Sequence, residues 1–538
     1  MPTPYQTSIG SFTRKSTFFW AGVGATVGLA NLWQFPYLAS LHGGGLFILL
    51  YLGCLLLVTL PIMVTESTVG RYARHGIVLA MDGFVRSAKV SRAWVLAGRL
   101  SVIAAFLVLS FTAVFGAIAL AYVFFGALGR FSGADEIEAG WVLSHLVSDP
   151  EEYRLFMAWH ALFMMLVIWV SVQGVVRGVE RTLRVVVPFT LLLMLGLFVL
   201  SAWHGRVDSA VSQILAMHPE DVTFESVRAA LFHAFFTLGL GMGVWTIFGA
   251  YTAVGTSLKR SLLAVVLIDT LVAIVAGMMM FSVAADGGGL LEGERGFGLL
   301  FISLPVTLGQ LPASQFVISG VFLMVVLIVW TTSLALMEPV VGWFREWTGA
   351  PRGWSALLIG ALAWFAGLGT LLSFNIWAGE RLAGGTLFRW VELLTGGLLI
   401  PTVAILISVF FGWKLTHSLS RRILGEGPGL FLATWYWVMR LVVPVVVLFI
   451  GVQYMVSSLA YLCDSGSEGL WCGQPSVLTE IEGQRLDETP GDKGTVQSGP
   501  VPRPAAEQEL DTPARKSPQE PASDRRAPKQ DEILYHSV

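Results

Sequence analysis

Apolar residues gather along this chain in blocks long enough to cross a bilayer as helices, separated by short polar connections. Counting the blocks predicts about eleven transmembrane helices. Their cores fall at α1 18–41, α2 46–69, α3 94–128, α4 155–175, α5 183–203, α6 227–251, α7 259–285, α8 314–343, α9 354–373, α10 387–413 and α11 431–462. The α3 block is longer than a span needs, so it is tilted or extends beyond the hydrocarbon. From 474 to 538 the pattern stops, and a Pro-, Gly-, Glu- and Lys-rich stretch with few aromatics reads as a disordered tail.

Two blocks break the pattern of a plain anchor. In α1, Gly22, Gly24 and Gly28 weaken the centre and Asn31, Gln34 and Pro36 follow in the same span. In α6, Gly239, Gly241 and Gly243 lie within five residues, each costing roughly 1 kcal/mol against alanine inside a helix. Freed backbone groups in lipid cost several kcal/mol each and are tolerated only where they line a protein-enclosed cavity. A break near Val27–Gly28 that holds an ion is therefore expected. Interrupted helices at matching positions in two halves point to a transporter site near the bilayer midplane. The alternative is close helix packing through small residues, which explains one such segment more easily than two.

Composition agrees: 55% of residues are hydrophobic and 13% charged, which places the chain among integral membrane proteins. A net charge of −2 with no basic cluster gives nothing to engage nucleic acid. Arg14 and Lys15 precede α1 without a small-residue cleavage site, so α1 reads as a retained helix. Basic residues crowd the connections after α2, α4, α6, α8 and α10, which puts the N-terminus in the cytoplasm and the tail outside the cell membrane. Cys54, Cys463 and Cys472 form no disulfide framework; the last two are bridged locally or remain free thiols.

The residues Gly-Ala-Thr-Val-Gly-Leu-Ala-Asn-Leu-Trp-Gln-Phe-Pro-Tyr (24–37), Gly43-Gly44-Gly45, Glu66 before Gly70-Arg71-Tyr72, and Phe-Phe-Thr-Leu-Gly-Leu-Gly (235–241) resemble the neurotransmitter:sodium symporters with the LeuT-type fold. Gly298-Leu299-Leu300-Phe301-Ile302-Ser303-Leu304-Pro305 and Thr331-Thr332-Ser333 ahead of Glu338-Pro339 extend the resemblance. It implies an all-α polytopic membrane protein of the bacterial, eleven-helix type, with discontinuous α1 and α6. Residues 1–17 would form a cytoplasmic N-terminus and 18–413 a core of two inverted repeats, 18–203 and 227–413, with α11 outside them.

The resemblance also implies two sodium sites. One would use Gly24 and Val27 of α1 with Ile328, Thr331 and Thr332 of α8; the alternative is that the threonines bond back to their own helix. The other would use Thr26, Asn31, Thr237 and Asp269. An acid inside a membrane helix is a functional-site hypothesis by default, and Asp269 is expected to replace the chloride that some relatives need. A cargo carboxylate would meet the amides of Leu29 and Ala30, and its ammonium the carbonyls of Phe236 and Thr237 with Thr26. Ala25, Val108, Thr112, Gly239, Met242, Thr332 and Leu336 would complete a mostly apolar pocket, with Phe236 as its lid.

Three positions depart from the family pattern. Thr112 stands where a tyrosine is usual, Ala30 where a glycine is usual, and Gln34 where an outer-gate arginine would face Glu392. Either Thr112 reaches the cargo carboxylate, directly or through water, or the cargo lacks an α-carboxylate there; the retained backbone donors favour the first. Glu66 would bond the unwound backbone of α6, and Glu346 would join an inner gate with Arg14 or Lys15. His233 either responds to protonation or is a satisfied structural histidine. The expectation is a sodium-coupled symporter of an amino acid with an apolar side chain, or of a related amine; a second copy of the chain is an admissible partner. A non-transporting sensor of the same fold and a proton-coupled transporter are the alternatives. With no nucleophile–base pair or metal-ligand cluster in the sequence, an enzyme is not expected.

Overall fold

A computed structural model describes residues 9–284, 298–382, 384–425 and 429–464. Every regular element among them is helical, apart from two isolated bridges. Among the described residues nine continuous helices are long and apolar enough to cross a membrane. They are α2 (Gly45–Ala73), α3 (Arg92–Ala127), α4 (Tyr153–Val172), α5 (Val175–His204), α7 (Leu258–Val283), α8 (Ser314–Thr348), α9 (Arg352–Leu372), α10 (Leu387–Lys414) and α11 (Phe431–Leu459). The predicted spans α1 and α6 are missing from that set because neither is continuous. The first runs as Thr17–Thr26, Leu29–Leu32 and Gln34–Leu41, and the second as Phe224–Thr237 and Val244–Tyr251. The tail 474–538 and the Cys463–Cys472 pairing lie outside the described residues.

Short helices at Ile77–Ala88, Glu136–Val147, Val207–Ile214 and Leu299–Gly309 were not anticipated. They are too short for the span-length criterion that located the others.

At the centre, α3 packs along α8. Of their most apolar windows 72% and 67% are buried, against 28% for α5 and α11, which lie at the periphery and present most of their surface outward. Apolar burial cannot drive helices together in lipid, so close backbone approach does more of the work. Between α2 and the second half of α6 that approach is extreme. A Cβ on Gly70 would come 1.8 Å from the Thr246 carbonyl oxygen, and one on Gly249 would come 2.1 Å from that of Ser67.

Charged residues tie down the face that carries the N-terminal strap. Glu180 accepts from Thr13 N (2.8 Å), Thr13 Oγ1 (2.9 Å), Arg14 N (3.1 Å) and Thr17 Oγ1 (2.7 Å). Glu338 of α8 binds Arg352 at 2.5 Å and accepts from Tyr251 Oη at 2.8 Å, joining α8, α9 and the end of α6. Glu346 is not placed as expected. Its Oε1 meets His75 Nδ1 at 2.9 Å and accepts from Gly76 N at 3.0 Å, because the end of α8 lies against the turn that follows α2. Arg14 is engaged through its backbone at Glu180 instead.

Two outcomes test this packing. Gly70→Ala should lower the melting temperature of the purified protein, since overpacking a tight contact costs about 1–3 kcal/mol. Gly53→Ala in the same helix meets nothing within 4 Å and should leave it unchanged or raise it; equal melting temperatures for both variants would refute the contact. The hydrogen bond to Glu346, and then its charge, raise His75 above its ordinary 6.5 despite partial burial. A raised folded value stabilises fully below pH 6.5 and is lost as the pH climbs through that value. Thermal melts should therefore show an advantage of the unsubstituted protein over His75→Gln at low pH that narrows as the pH rises. The half-exposed imidazole keeps the effect small.

Candidate functional site

The two breaks face one another across the core. In α1, Val27 and Gly28 leave the helix with extended ψ angles of 103° and −176°, and Asn31 Oδ1 accepts from Gly28 N at 3.1 Å. In α6 the break needs its glycines: Gly239, Gly241 and Gly243 have φ of +61°, +74° and +70°, a region that side chains disfavour. Its loosened backbone is held from both sides. Gly241 N donates to Glu66 Oε1 at 2.9 Å, and Trp245 Nε1 donates to the Leu238 carbonyl at 2.7 Å.

Beside the α1 break, Thr332 Oγ1 lies 3.4 Å from the Gly24 carbonyl oxygen, 3.3 Å from that of Val27 and 3.1 Å from that of Ile328. A hydroxyl carries one proton and can satisfy one of these acceptors. All three separations exceed the 2.7–2.8 Å usual for O–H···O bonds. Thr331 Oγ1 donates to Ile328 O at 3.0 Å, and its Cβ would be 3.2 Å from a Cβ on Gly24. Thr331 thus does bond back to its own helix, while Thr332 also reaches across to α1.

A second cluster forms on the other side of α1. Asp269 is fully buried and accepts from Asn31 Nδ2 at 3.0 Å and from Tyr51 Oη at 3.0 Å. Thr237 Oγ1 lies 3.3 Å from both Asn31 Oδ1 and Asp269 Oδ2, while Thr26 Oγ1 lies 3.5 Å from the Val23 carbonyl oxygen of its own helix. Asp269 has no Lys or Arg partner among the described residues. Tyr51 was not among the expected residues; a lone phenol in an otherwise apolar stretch of α2 was the only signal for it.

Between the clusters lies a cavity of about 190 Å³. Ala25, Thr26, Leu29, Ala30, Val108, Thr112, Phe236, Thr237, Gly239, Met242, Thr332 and Leu336 all line it. So do Glu392 of α10, expected at the outer gate, and residues that were not expected there, including Trp33, Phe111 and Tyr454 of α11. The position one turn after Val108 on α3 carries no phenol: Thr112 and Phe111 both line the cavity.

The Gln34–Glu392 gate pairing is replaced by other partners. Gln34 Oε1 meets His233 Nδ1 at 3.2 Å. Glu392 binds Arg389, one turn earlier on the same helix, at 2.8 Å and accepts from Tyr454 Oη at 2.8 Å. A neutral amide at 34 cannot compete with a guanidinium three residues away. His233 is buried between Phe35 and Tyr51. One further group of ligand-type side chains, His218, Glu220 and Asp221, sits together in a surface loop, and none of the three lines the cavity.

Comparison with known proteins bears on all of this. A family model described as the sodium:neurotransmitter symporter family matches residues 10–132 and 145–463. The chain is 30% identical over 439 residues to the sodium-dependent transporter YhdH of Bacillus subtilis, covering 81% of this chain and 95% of that one. It is 23% identical to a sodium-dependent transporter of Haemophilus influenzae, covering 82% and 97%. The solved structure of MhsT in complex with L-phenylalanine matches with a TM-score of 0.73 at 27% identity, covering 83% of this chain and 99% of that one. The chain therefore belongs to the sodium:neurotransmitter symporter family, with its LeuT-type fold of two inverted five-helix repeats, and is a sodium-dependent membrane transporter.

Proposed function

We propose that the protein is a symporter that couples sodium entry to uptake of an amino acid with a bulky apolar side chain. The observation that carries this reading is the crowding of acceptors at the α1 break: Thr331 donates to the Ile328 carbonyl, which leaves the one proton of Thr332 facing the carbonyl oxygens of Gly24 and Val27. Converging lone pairs with too few protons favour a hard cation that takes oxygen ligands. Gly24, Val27, Ile328, Thr331 and Thr332 supply that set, and Thr26, Asn31, Thr237 and Asp269 supply another with a negative charge. The carboxylate of Asp269 offsets the ion, so chloride is not needed beside it.

The amides of Leu29 and Ala30 open the helical segment after the break and face the cavity, where they can receive a carboxylate. Thr112 adds a hydroxyl to that end. The remaining wall is mostly apolar, and the bound L-phenylalanine of MhsT is a ligand of matching character. Phe236 closes over the cargo, and sodium binding favours the outward-facing state. The group α1, α2, α6 and α7 then rocks against α3, α4, α8 and α9. Basic connections after even-numbered spans orient the N-terminus to the cytoplasm.

A second reading has one observation in its favour. Asp269 is buried with hydroxyl and amide partners alone, so a proton could neutralise it in place of sodium.

Proteoliposomes separate the readings. Uptake of radiolabelled leucine or phenylalanine should require an inward sodium gradient and should not start on a pH gradient in its absence. Thr332→Val, which keeps the shape and removes the oxygen, should raise the sodium concentration for half-maximal uptake by roughly tenfold or more. Uptake by pH alone would favour the proton reading, and an unchanged sodium requirement in Thr332→Val would refute the assigned site. Replacing chloride with gluconate should leave the rate unchanged; loss of uptake would refute the role given to Asp269.

A further inference from the structure

The helix outside the repeats reaches the cargo cavity. Tyr454 of α11 lines it by passing over Gly396 and Gly397, which lie in a wide, π-helical turn of α10 (Leu393–Leu399). A Cβ on either glycine would stand 3.2 Å from the tyrosine ring, so any larger residue there would push the ring. Three further contacts hold it. Its hydroxyl donates to Glu392 at 2.8 Å, and Glu392 is itself fixed by Arg389 at 2.8 Å. Its ring stacks on Phe232 at 5.3 Å with 9° between planes, and lies 5.9 Å from Phe236.

The cavity is thus lined both by the α1 break and, from α10 and α11, by Glu392, Thr395 and Tyr454. A cargo anchored by its charged end at the break turns its side chain along the remaining length. We propose that Tyr454 is a specificity-determining residue: its tethered ring sets the length of side chain that the cavity accepts. This rests on the amino-acid reading above. The paired glycines at 396–397 have a physical purpose on this view, since they make room for a side chain from the neighbouring helix. Glu392 and Arg389 act as positioning residues for the ring.

The test is ligand-induced thermal stabilisation of the purified full-length protein in sodium, titrated with leucine, phenylalanine and tryptophan. Tyr454→Ala should raise the ratio of tryptophan to leucine affinity by roughly tenfold or more, the discrimination that small changes in pocket size commonly yield. Tyr454→Phe, which keeps the ring and cuts the tether, should move the ratio in the same direction by less. Gly396→Ala pushes the ring inward and should lower the ratio. The ligand-free melting temperature of each variant establishes that it folds. Unchanged ratios in Tyr454→Ala and Gly396→Ala, with leucine binding intact, would overturn the proposal and leave the amino-acid reading standing. Absence of sodium-dependent binding of all three by the unsubstituted protein would overturn both.

Discussion

A peptide group that leaves its helix inside a membrane must find a partner within the protein, and the rest of this structure follows from that constraint. Two helices break, and each break releases donors and acceptors. At α6 the debt is settled by protein groups, with Glu66 on a freed amide and Trp245 on a freed carbonyl. At α1 the amide of Gly28 is taken by Asn31, but the carbonyls of Gly24 and Val27 face a single hydroxyl. The difference between the two breaks is the difference between a joint and a binding site. One has side chains on Gly241 N and the Leu238 carbonyl, and the other presents more lone pairs than protons.

The charge balance adds direction to that geometry. Asp269 sits next to the α1 break without a cationic partner, in a family whose members depend on sodium. A buried carboxylate held only by hydroxyls and an amide is costly unless a positive charge joins it. Two other buried acids have a cation, Glu338 with Arg352 and Glu392 with Arg389, while Glu180 and Glu66 are held by neutral donors, four from the N-terminal strap and the Gly241 amide respectively. Among the described residues Glu66 and Asp269 are fully buried without a cation, and Asp269 is the one grouped with Asn31 and Thr237, which line the cavity.

Closure is built differently from what position 34 implied. With glutamine there, the acid on α10 takes its cation from its own helix and a hydroxyl from α11. His233 takes up the glutamine instead. The wall over the cavity is then a stack of rings, Phe232, Phe236 and Tyr454, whose contact is apolar and insensitive to the loss of a charged pair.

What could be read from the chain alone was whatever depends on local runs and local backbone bias. Span positions follow from hydrophobic length, the breaks from Gly28 and the 239–243 glycines, and the ligand-type residues from motifs 24–37 and 331–333. These are properties of neighbours in sequence, and neighbours in sequence set helix stability directly. Partner choice across helices was not legible, because it depends on which faces meet. Tyr51 on Asp269, His75 on Glu346, Tyr454 on Glu392 and the reach of Tyr454 over two glycines each join residues by rotation and depth of packed helices. No period or spacing encodes that rotation; only the assembled bundle does.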